Sequence, residues 1–234
     1  MANEKKRVVV LFGPPGAGKG TQSNLLSEKL GLYLFETSSI LEKKFKEADS
    51  GKRFFEIDGE KFDVFDEKKK WEEGILCSPP FVTLLVMERI RELYEDGKSL
   101  VLSGSPRTLY EAEKILPLLK ELYGEENIKV VLVEITPEQT IFRNSHRKIC
   151  ELMRHSILYN EETEKLTICP LDGSRLTKRE GLDDPETIKV RLKEYKERTF
   201  PIFDYFEKHG LGIKKINGEQ SVSDVFKDVM KAIE

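Results

Sequence analysis

The sequence predicts an α/β fold: a three-layer, doubly wound parallel sheet of five strands, interrupted by two inserted mobile subdomains. Three observations predict it. Short apolar runs rich in β-branched residues recur at Val8–Phe12, Leu32–Phe35, Leu100–Leu102, Lys129–Ile135 and Ile213–Ile216, as expected of strands buried on both faces of a parallel sheet. Segments of helical periodicity with capping residues lie between them, so strands and helices alternate. The alternation is interrupted twice, over 36–78 and 147–183, by insertions with hairpin-like or irregular sequence. The expected division is a core of 1–35, 79–146 and 184–234, a flap at 36–78 and a lid at 147–183.

The first strand runs directly into Gly13-Pro14-Pro15-Gly16-Ala17-Gly18-Lys19-Gly20-Thr21. Glycines after a buried strand allow a turn whose backbone N–H groups point inward. The spacing from Gly13 to Lys19 lets the lysine fold back over that nest, and the helix starting there presents its positive end to the same anion. This stretch reads as a phosphate cradle, and the rest of the chain is organised around it.

The helix after the cradle carries Leu25, Leu26 and Leu30 on one face and stops at Gly31. After the second strand, Thr37-Ser38-Ser39 offers caps for an amphipathic helix to about Ala48. Arg53–Ile57 and Glu60–Phe65, joined by Asp58-Gly59, form a hairpin pattern. A lone two-stranded ribbon is unstable, so it must lean on its neighbours. Ser78-Pro79 opens a long helix ending near Gly97, and the third strand leads into Ser103-Gly104-Ser105-Pro106-Arg107-Thr108. Carboxyl ends of strands are where open α/β sheets bind ligands. A helix over 109–123 follows, then the fourth strand and Thr136-Pro137-Glu138-Gln139, a capping box opening a helix to about His146. Asp184-Pro185 starts a long helix with apolar face Ile188, Leu192, Tyr195, Ile202 and Phe206, and Ser221 caps a terminal helix after the fifth strand.

Composition narrows the class. Charged residues are 35%, but 39 Lys and Arg nearly cancel 42 Asp and Glu, so no polyanion-binding surface follows. No apolar segment approaches the length of a membrane span, and Met1–Arg7 lacks a signal-peptide core, which makes the cytoplasm the expected location. Three cysteines argue against a disulfide framework and leave thiols for metal or packing.

Phosphoryl transfer needs cations around a group whose charge shifts, and arginine binds phosphate bidentately without losing its charge. Arg107 follows a strand end, Arg143 and Arg147 lead into the lid, Arg179 leads out of it, and Arg191 lies on the returning helix. The run Gly13 to Thr21, with Gly20 where most phosphate loops have a Mg²⁺-holding Ser or Thr, resembles adenylate kinases and the related nucleoside monophosphate kinases. Ser103–Thr108 resembles that family's Asp-Gly-Phe-Pro-Arg-Thr segment, and the similarity runs in order from Val8 to about Val229.

The resemblance implies a P-loop NTPase core and a kinase using ATP with Mg²⁺, most simply ATP + AMP to 2 ADP. Gly13, Pro14, Gly16, Ala17, Gly18, Lys19, Gly20 and Thr21 would hold the ATP phosphates, with Arg143 on the adenine and Arg147 at the lid. Thr37, Gly104, Arg107, Arg179 and Arg191 would bind the acceptor monophosphate, making 36–78 its binding flap. Lys19, Arg107, Arg147, Arg179 and Arg191 would stabilise the transferring charge, in a monomer without nucleic-acid or membrane partners.

Departures from the pattern fall at the acceptor. Glu42 stands where the family has a phosphate-binding arginine, with Lys43, Lys44 and Arg53 as candidate substitutes; Glu111 replaces a base-reading glutamine and Ser103 a Mg²⁺-holding aspartate. Losing a cation and gaining an anion beside a phosphate each cost about 1–3 kcal/mol uncompensated. UMP, CMP or another monophosphate is therefore an alternative acceptor, and a nucleotide-binding homologue without turnover an alternative class. A GTP-hydrolysing switch lacks its Asn-Lys-x-Asp segment here. In the lid, Cys169-x2-Asp172-Gly173 resembles the second knuckle of zinc-containing family lids, and Met153 occupies a cysteine position of the first. Cys150, His155, Cys169 and Asp172 form one candidate zinc set. The other reading is a lid packed around Met153, Leu158 and Ile168 with idle thiols.

Overall fold

The computed structural model describes residues 6–48, 51, 53–153, 156–178 and 183–234. In chain order the elements are β1 (Val8–Phe12), α1 (Lys19–Leu30), β2 (Tyr33–Glu36), α2 (Thr37–Lys46), β3 (Phe54–Ile57), β4 (Glu60–Asp63), α3 (Val64–Glu72), α4 (Pro79–Glu95), β5 (Leu100–Ser103) and α5 (Leu109–Tyr123). They continue with β6 (Ile128–Glu134), α6 (Pro137–Ser145), β7 (Lys148–Cys150), β8 (Ser156–Ile157), β9 (Leu176–Thr177), α7 (Pro185–Glu194), a π-helical turn (Tyr195–Thr199), α8 (Pro201–Lys208), β10 (Ile213–Asn217) and α9 (Val222–Ile233).

The central sheet has the order β10-β6-β1-β5-β2 and every pairing in it is parallel. Alternation along each strand sends side chains to opposite faces. Val8, Val10, Leu100, Leu102, Val130 and Leu132 pack on one side against Phe81, Ile90, Ile115, Leu119 and Phe206 of α4, α5 and α8. Val9, Leu11, Val101, Val131 and Val133 pack on the other against Leu26 of α1 and Val225, Val229 and Ile233 of α9. These two cores make the three layers. Each fully buried large side chain contributes about 1.5–3 kcal/mol.

Chain order supplies the crevice. The chain goes from β1 to β2 on one side and later crosses from β5 over β1 to β6 on the other, so loops diverge at the carboxyl end of β1. The caps at Thr108, Thr136, Asp184 and Ser221 each accept from the N–H three residues on.

Three local expectations need correction. The second hairpin strand stops at Asp63, whose carboxylate caps α3 by accepting from the Phe65 N–H at 3.0 Å, so Val64 and Phe65 are helical. Ser78 stands at the N-cap of α4 with Pro79 after it, but its side chain makes no capping bond; its N–H and hydroxyl donate to the buried Glu67 carboxylate at 2.5 and 2.7 Å. The expected long helix from Pro185 is divided by the π-helical turn and Pro201. No helix among the described residues is long and apolar enough to cross a membrane.

Candidate active site

The cradle after β1, the start of α2 after β2 and the Gly104–Thr108 loop after β5 each leave the carboxyl end of a central-sheet strand, which brings these candidates to one edge. After β1, Gly13, Gly16 and Gly18 have φ of +151°, +85° and +87°. A Cβ on Gly13 would lie 2.5 Å from the Val133 carbonyl oxygen, and one on Gly16 2.6 Å from Asn144 Nδ2, so β6 and α6 press the loop closely enough that only glycine fits. Gly18 opens α1, whose first turn has no acidic residue. Lys19 Nζ donates to the Gly13 and Pro14 carbonyls at 2.6 and 3.0 Å, so the lysine does fold back over the loop. The Ala17 N–H turns back to the Pro14 carbonyl, while Gly20 and the half-buried Thr21 stand on the first turn of the helix.

Arg143 joins two strand ends. Its Nη2 donates to Gly218 after β10 at 2.9 Å and its Nη1 to Gly16 of the cradle at 3.5 Å. Beside it Asn144 is fully buried, donating from Nδ2 to the Thr140 carbonyl at 2.7 Å. Arg147 leaves the end of α6 half-buried, its N–H bonded to Asn144. His146 stacks with Phe142 and with Tyr159 of the lid at centroid separations of 4.5 and 4.4 Å, tying the lid to α6.

One strand over, β5 ends at Ser103, in register with Leu11 of β1, and leads into Gly104. The Arg107 guanidinium folds over Gly104, with Nη2 2.7 Å from where a Cβ would stand, and burial pushes it below its ordinary value. The loop is held from both sides. Thr199 Oγ1 donates to the Arg107 carbonyl at 2.7 Å, and Glu111 Oε2 accepts from the Arg107 N–H at 3.0 Å and Ser105 Oγ at 3.1 Å. Thr108 Oγ1 donates to Glu111 Oε1 at 3.0 Å. Burial pushes the Glu111 carboxyl up, against these hydrogen bonds and the Arg107 charge.

Arg107 and Glu111 line a pocket with Thr37, Leu41, Trp71 and Cys77. Thr37 is the first residue of α2 and its buried Oγ1 has no hydrogen-bond partner among the described residues. Burial pushes the Cys77 thiol up to about 12. The candidates for the missing cation are engaged elsewhere. Arg53 forms a two-nitrogen pair with Asp63, at 2.7 Å from Nη2, Lys44 lies over the Phe55 ring at 4.7 Å, and Lys43 is 3.9 Å from Glu47. Arg191 on α7 lies beside the flap, where a Cβ on Gly74 would be 2.6 Å from Thr187 and 3.5 Å from Arg191 Cγ; its guanidinium is 4.0 Å from buried Asp183. Arg179 and His155 lie outside the described residues.

In the lid, ligand atoms of Cys150, Cys169 and Asp172 lie within 4.8 Å of one another. Both thiols are buried and Cys150 Sγ donates to Asp172 Oδ2 at 2.9 Å, while the Cys150 and Ser174 donors hold Asp172 well below the usual carboxylate range. Two sulfurs and a carboxylate oxygen converging at a closed turn suit a zinc-class ion. The alternative packing is overturned: Met153, Leu158 and Ile168 are 64%, 60% and 55% exposed, and the lid's small core is Cys150, Cys169 and Leu176.

Sequence reasoning missed Thr199, Asn144, Gly218 and Trp71, which act through contacts that no local pattern announces.

Glycine-loop N–H groups, a returning lysine and an arginine-bearing pocket on the adjoining strand are a means of handling phosphates at both ends of a transfer, and they define a P-loop phosphotransferase. A family model described as adenylate kinase matches residues 11–211. The chain is 33% identical to an adenylate kinase of Caldicellulosiruptor bescii over 96% of its own length and 98% of the relative's. It is 32% identical to one of Staphylococcus aureus, over 97% and 98%. The chain belongs to the adenylate kinase family.

Proposed function

We propose that the protein is a nucleoside monophosphate kinase whose acceptor is AMP, catalysing ATP + AMP to 2 ADP reversibly. The observation that carries the reading is the placement of the anion cradle and the Arg107 pocket on neighbouring strands, paired Leu11 to Ser103, about 5 Å apart at their carboxyl ends. A donor phosphate in one and an acceptor phosphate in the other then meet without the chain moving far.

In this reading the cradle N–H groups, Lys19 and the α1 amino end hold the donor phosphates, with Arg143 beside the adenine. Thr37, Gly104 and Arg107 take the acceptor phosphate, and Arg147, Arg179 and Arg191 balance charge on the transferring group. No side chain becomes covalently attached. Mg²⁺ would come with the ATP and offset the charge of its phosphates, and the hydroxyls of Thr21 and Ser103 would be the oxygens this chain offers it. The flap (36–78) and lid (147–183) exclude water so that ATP is not hydrolysed. A zinc ion in the lid would be structural, held by Cys150, Cys169 and Asp172, with His155, outside the described residues, as the candidate fourth ligand. We read the protein as a cytoplasmic monomer acting on small nucleotides; the relatives' name supports the nucleotide substrates, and the three free thiols a reducing compartment.

Glu111 favours a second reading, another monophosphate as acceptor, because a carboxyl at the pocket wall has no N–H to offer a base, as the amide of a glutamine would. A coupled assay of ADP formation with ATP and Mg²⁺ against AMP, CMP, UMP, GMP and dAMP separately tests both. AMP should turn over, and Lys19→Ala should lower kcat by roughly 10²–10³-fold. Turnover of a different monophosphate supports the second reading; intact ATP binding without any turnover would make this a nucleotide-binding protein.

A further inference from the structure

We propose that Ser174 is the positioning residue of the lid's metal centre. Its amide and hydroxyl together commit Asp172 Oδ1, so that Oδ2 alone faces Cys150 and Cys169, and its hydroxyl also fastens the second knuckle to the first. The inference rests on the lid-metal reading above.

The geometry is a closed relay. Asp172 Oδ1 accepts from Ser174 N at 2.9 Å and from Ser174 Oγ at 2.8 Å, while Asp172 Oδ2 takes the Cys150 thiol at 2.9 Å. The knuckle closes on itself: the Cys169 N–H donates to the Ser174 carbonyl at 2.7 Å and the Gly173 N–H to the Cys169 carbonyl at 2.9 Å. Gly173, at φ +73°, provides the turn that returns Ser174 to Asp172. An ordinary aspartate turn needs only the amide two residues on. The hydroxyl adds a second donor to the same oxygen, and Ser174 Oγ also accepts from the Leu152 N–H, in the first knuckle, at 3.2 Å. One side chain thus orients a ligand and holds the two ligand-bearing turns at a fixed separation.

The commitment of Oδ1 has a chemical consequence. A carboxylate with one oxygen occupied binds a metal through the other only, which disfavours the bidentate, oxygen-rich coordination of Ca²⁺, and the two sulfur ligands disfavour Mg²⁺. Two thiolates with one carboxylate oxygen suit a tetrahedral zinc-class ion. Partners that orient metal ligands in this way are worth about 10–100-fold in metal affinity.

The test is Co²⁺ titration of the full-length, metal-free, reduced protein, followed by thiolate-to-cobalt charge transfer and by the visible bands of tetrahedral cobalt. The wild type should show both, and Cys150→Ala should lose them. Ser174→Ala should weaken Co²⁺ binding about 10–100-fold, with Ser174→Thr restoring it. Ser174→Gly also removes the hydroxyl while suiting a turn, and it repeats the measurement if the alanine variant does not fold. Wild-type affinity and spectrum in the folded alanine or glycine variant overturns the inference while leaving the lid metal in place. A wild type that gives no thiolate–cobalt spectrum overturns the lid-metal reading itself, before any variant is compared.

Discussion

Thr199 donates its hydroxyl to the Arg107 carbonyl at 2.7 Å, across 92 residues of sequence. Thr199 closes the π-helical turn between α7 and α8, and the widened turn aims it at the β5–α5 loop. The arginine proposed to grip the acceptor phosphate is thereby braced from behind by the segment leading back from the lid. Thr199→Val keeps the volume and strands a carbonyl, which should cost about 1–3 kcal/mol. The KM for the acceptor should rise while that for ATP stays near its wild-type value. Equal changes in both, measured by steady-state kinetics, would remove the special role for this contact.

The flap meets α7 at Gly74, where φ is +78° and a Cβ would stand 2.6 Å from Thr187 Cγ2. Gly74→Ala should therefore both strain the turn, by roughly 1–3 kcal/mol, and push the flap away from Arg191. Lower thermal stability with a raised acceptor KM is the expected result, partly relieved by Thr187→Ser, which removes the clashing methyl. A Gly74→Ala enzyme with unchanged melting and kinetics would show that the two elements do not approach this closely.

Burial raises the Glu111 carboxyl above its ordinary value of 4.5. A group raised in the folded state contributes its full stability below the ordinary value and loses it as pH climbs through the folded one. Glu111→Gln has no such titration. Its melting temperature should gain on the wild type as pH rises from about 4 to 7. Parallel melting curves for the two proteins over that range would mean that the carboxyl titrates as it does in water.

Glu67 is a buried carboxylate that accepts from the Ser78 N–H, Ser78 Oγ and Lys70 Nζ at 2.5, 2.7 and 2.8 Å, joining α3 to the start of α4. Glu67→Ala should destabilise by about 1–3 kcal/mol. At this chain length each kcal/mol lowers the melting temperature by about 2–4 °C. Adding Ser78→Ala should cost little more, because both changes break one network. Full additivity in calorimetry would show the two residues to be independent.

The cradle was legible because its requirements are local: φ above zero at closely spaced glycines, a strand before them, a helix after them and a lysine at a fixed offset. The hairpin turn, the helix caps and the parallel strands were legible for the same reason. The position of Ser78 at the start of α4 was legible but its hydrogen bond was not, because Glu67, eleven residues away, takes its hydroxyl. Met153, Leu158 and Ile168 misled because an apolar side chain in a small insertion lacks enough neighbours to bury it.

Sequence by itself determined the fold class, the order of strands and helices along the chain, the phosphate loop and which arginines and cysteines deserved attention. These follow from periodicity, turn chemistry and fixed spacing, each set within a few residues. Only the tertiary structure decided that Arg143 bridges Gly16 and Gly218, that Thr199 braces Arg107, that Arg53 belongs to Asp63 and that Cys150 meets Asp172. Those pairings depend on how the sheet orders its strands and how the insertions fold back over its edge. Side chains far apart along the chain are brought within hydrogen-bonding reach only once the sheet and helices have packed.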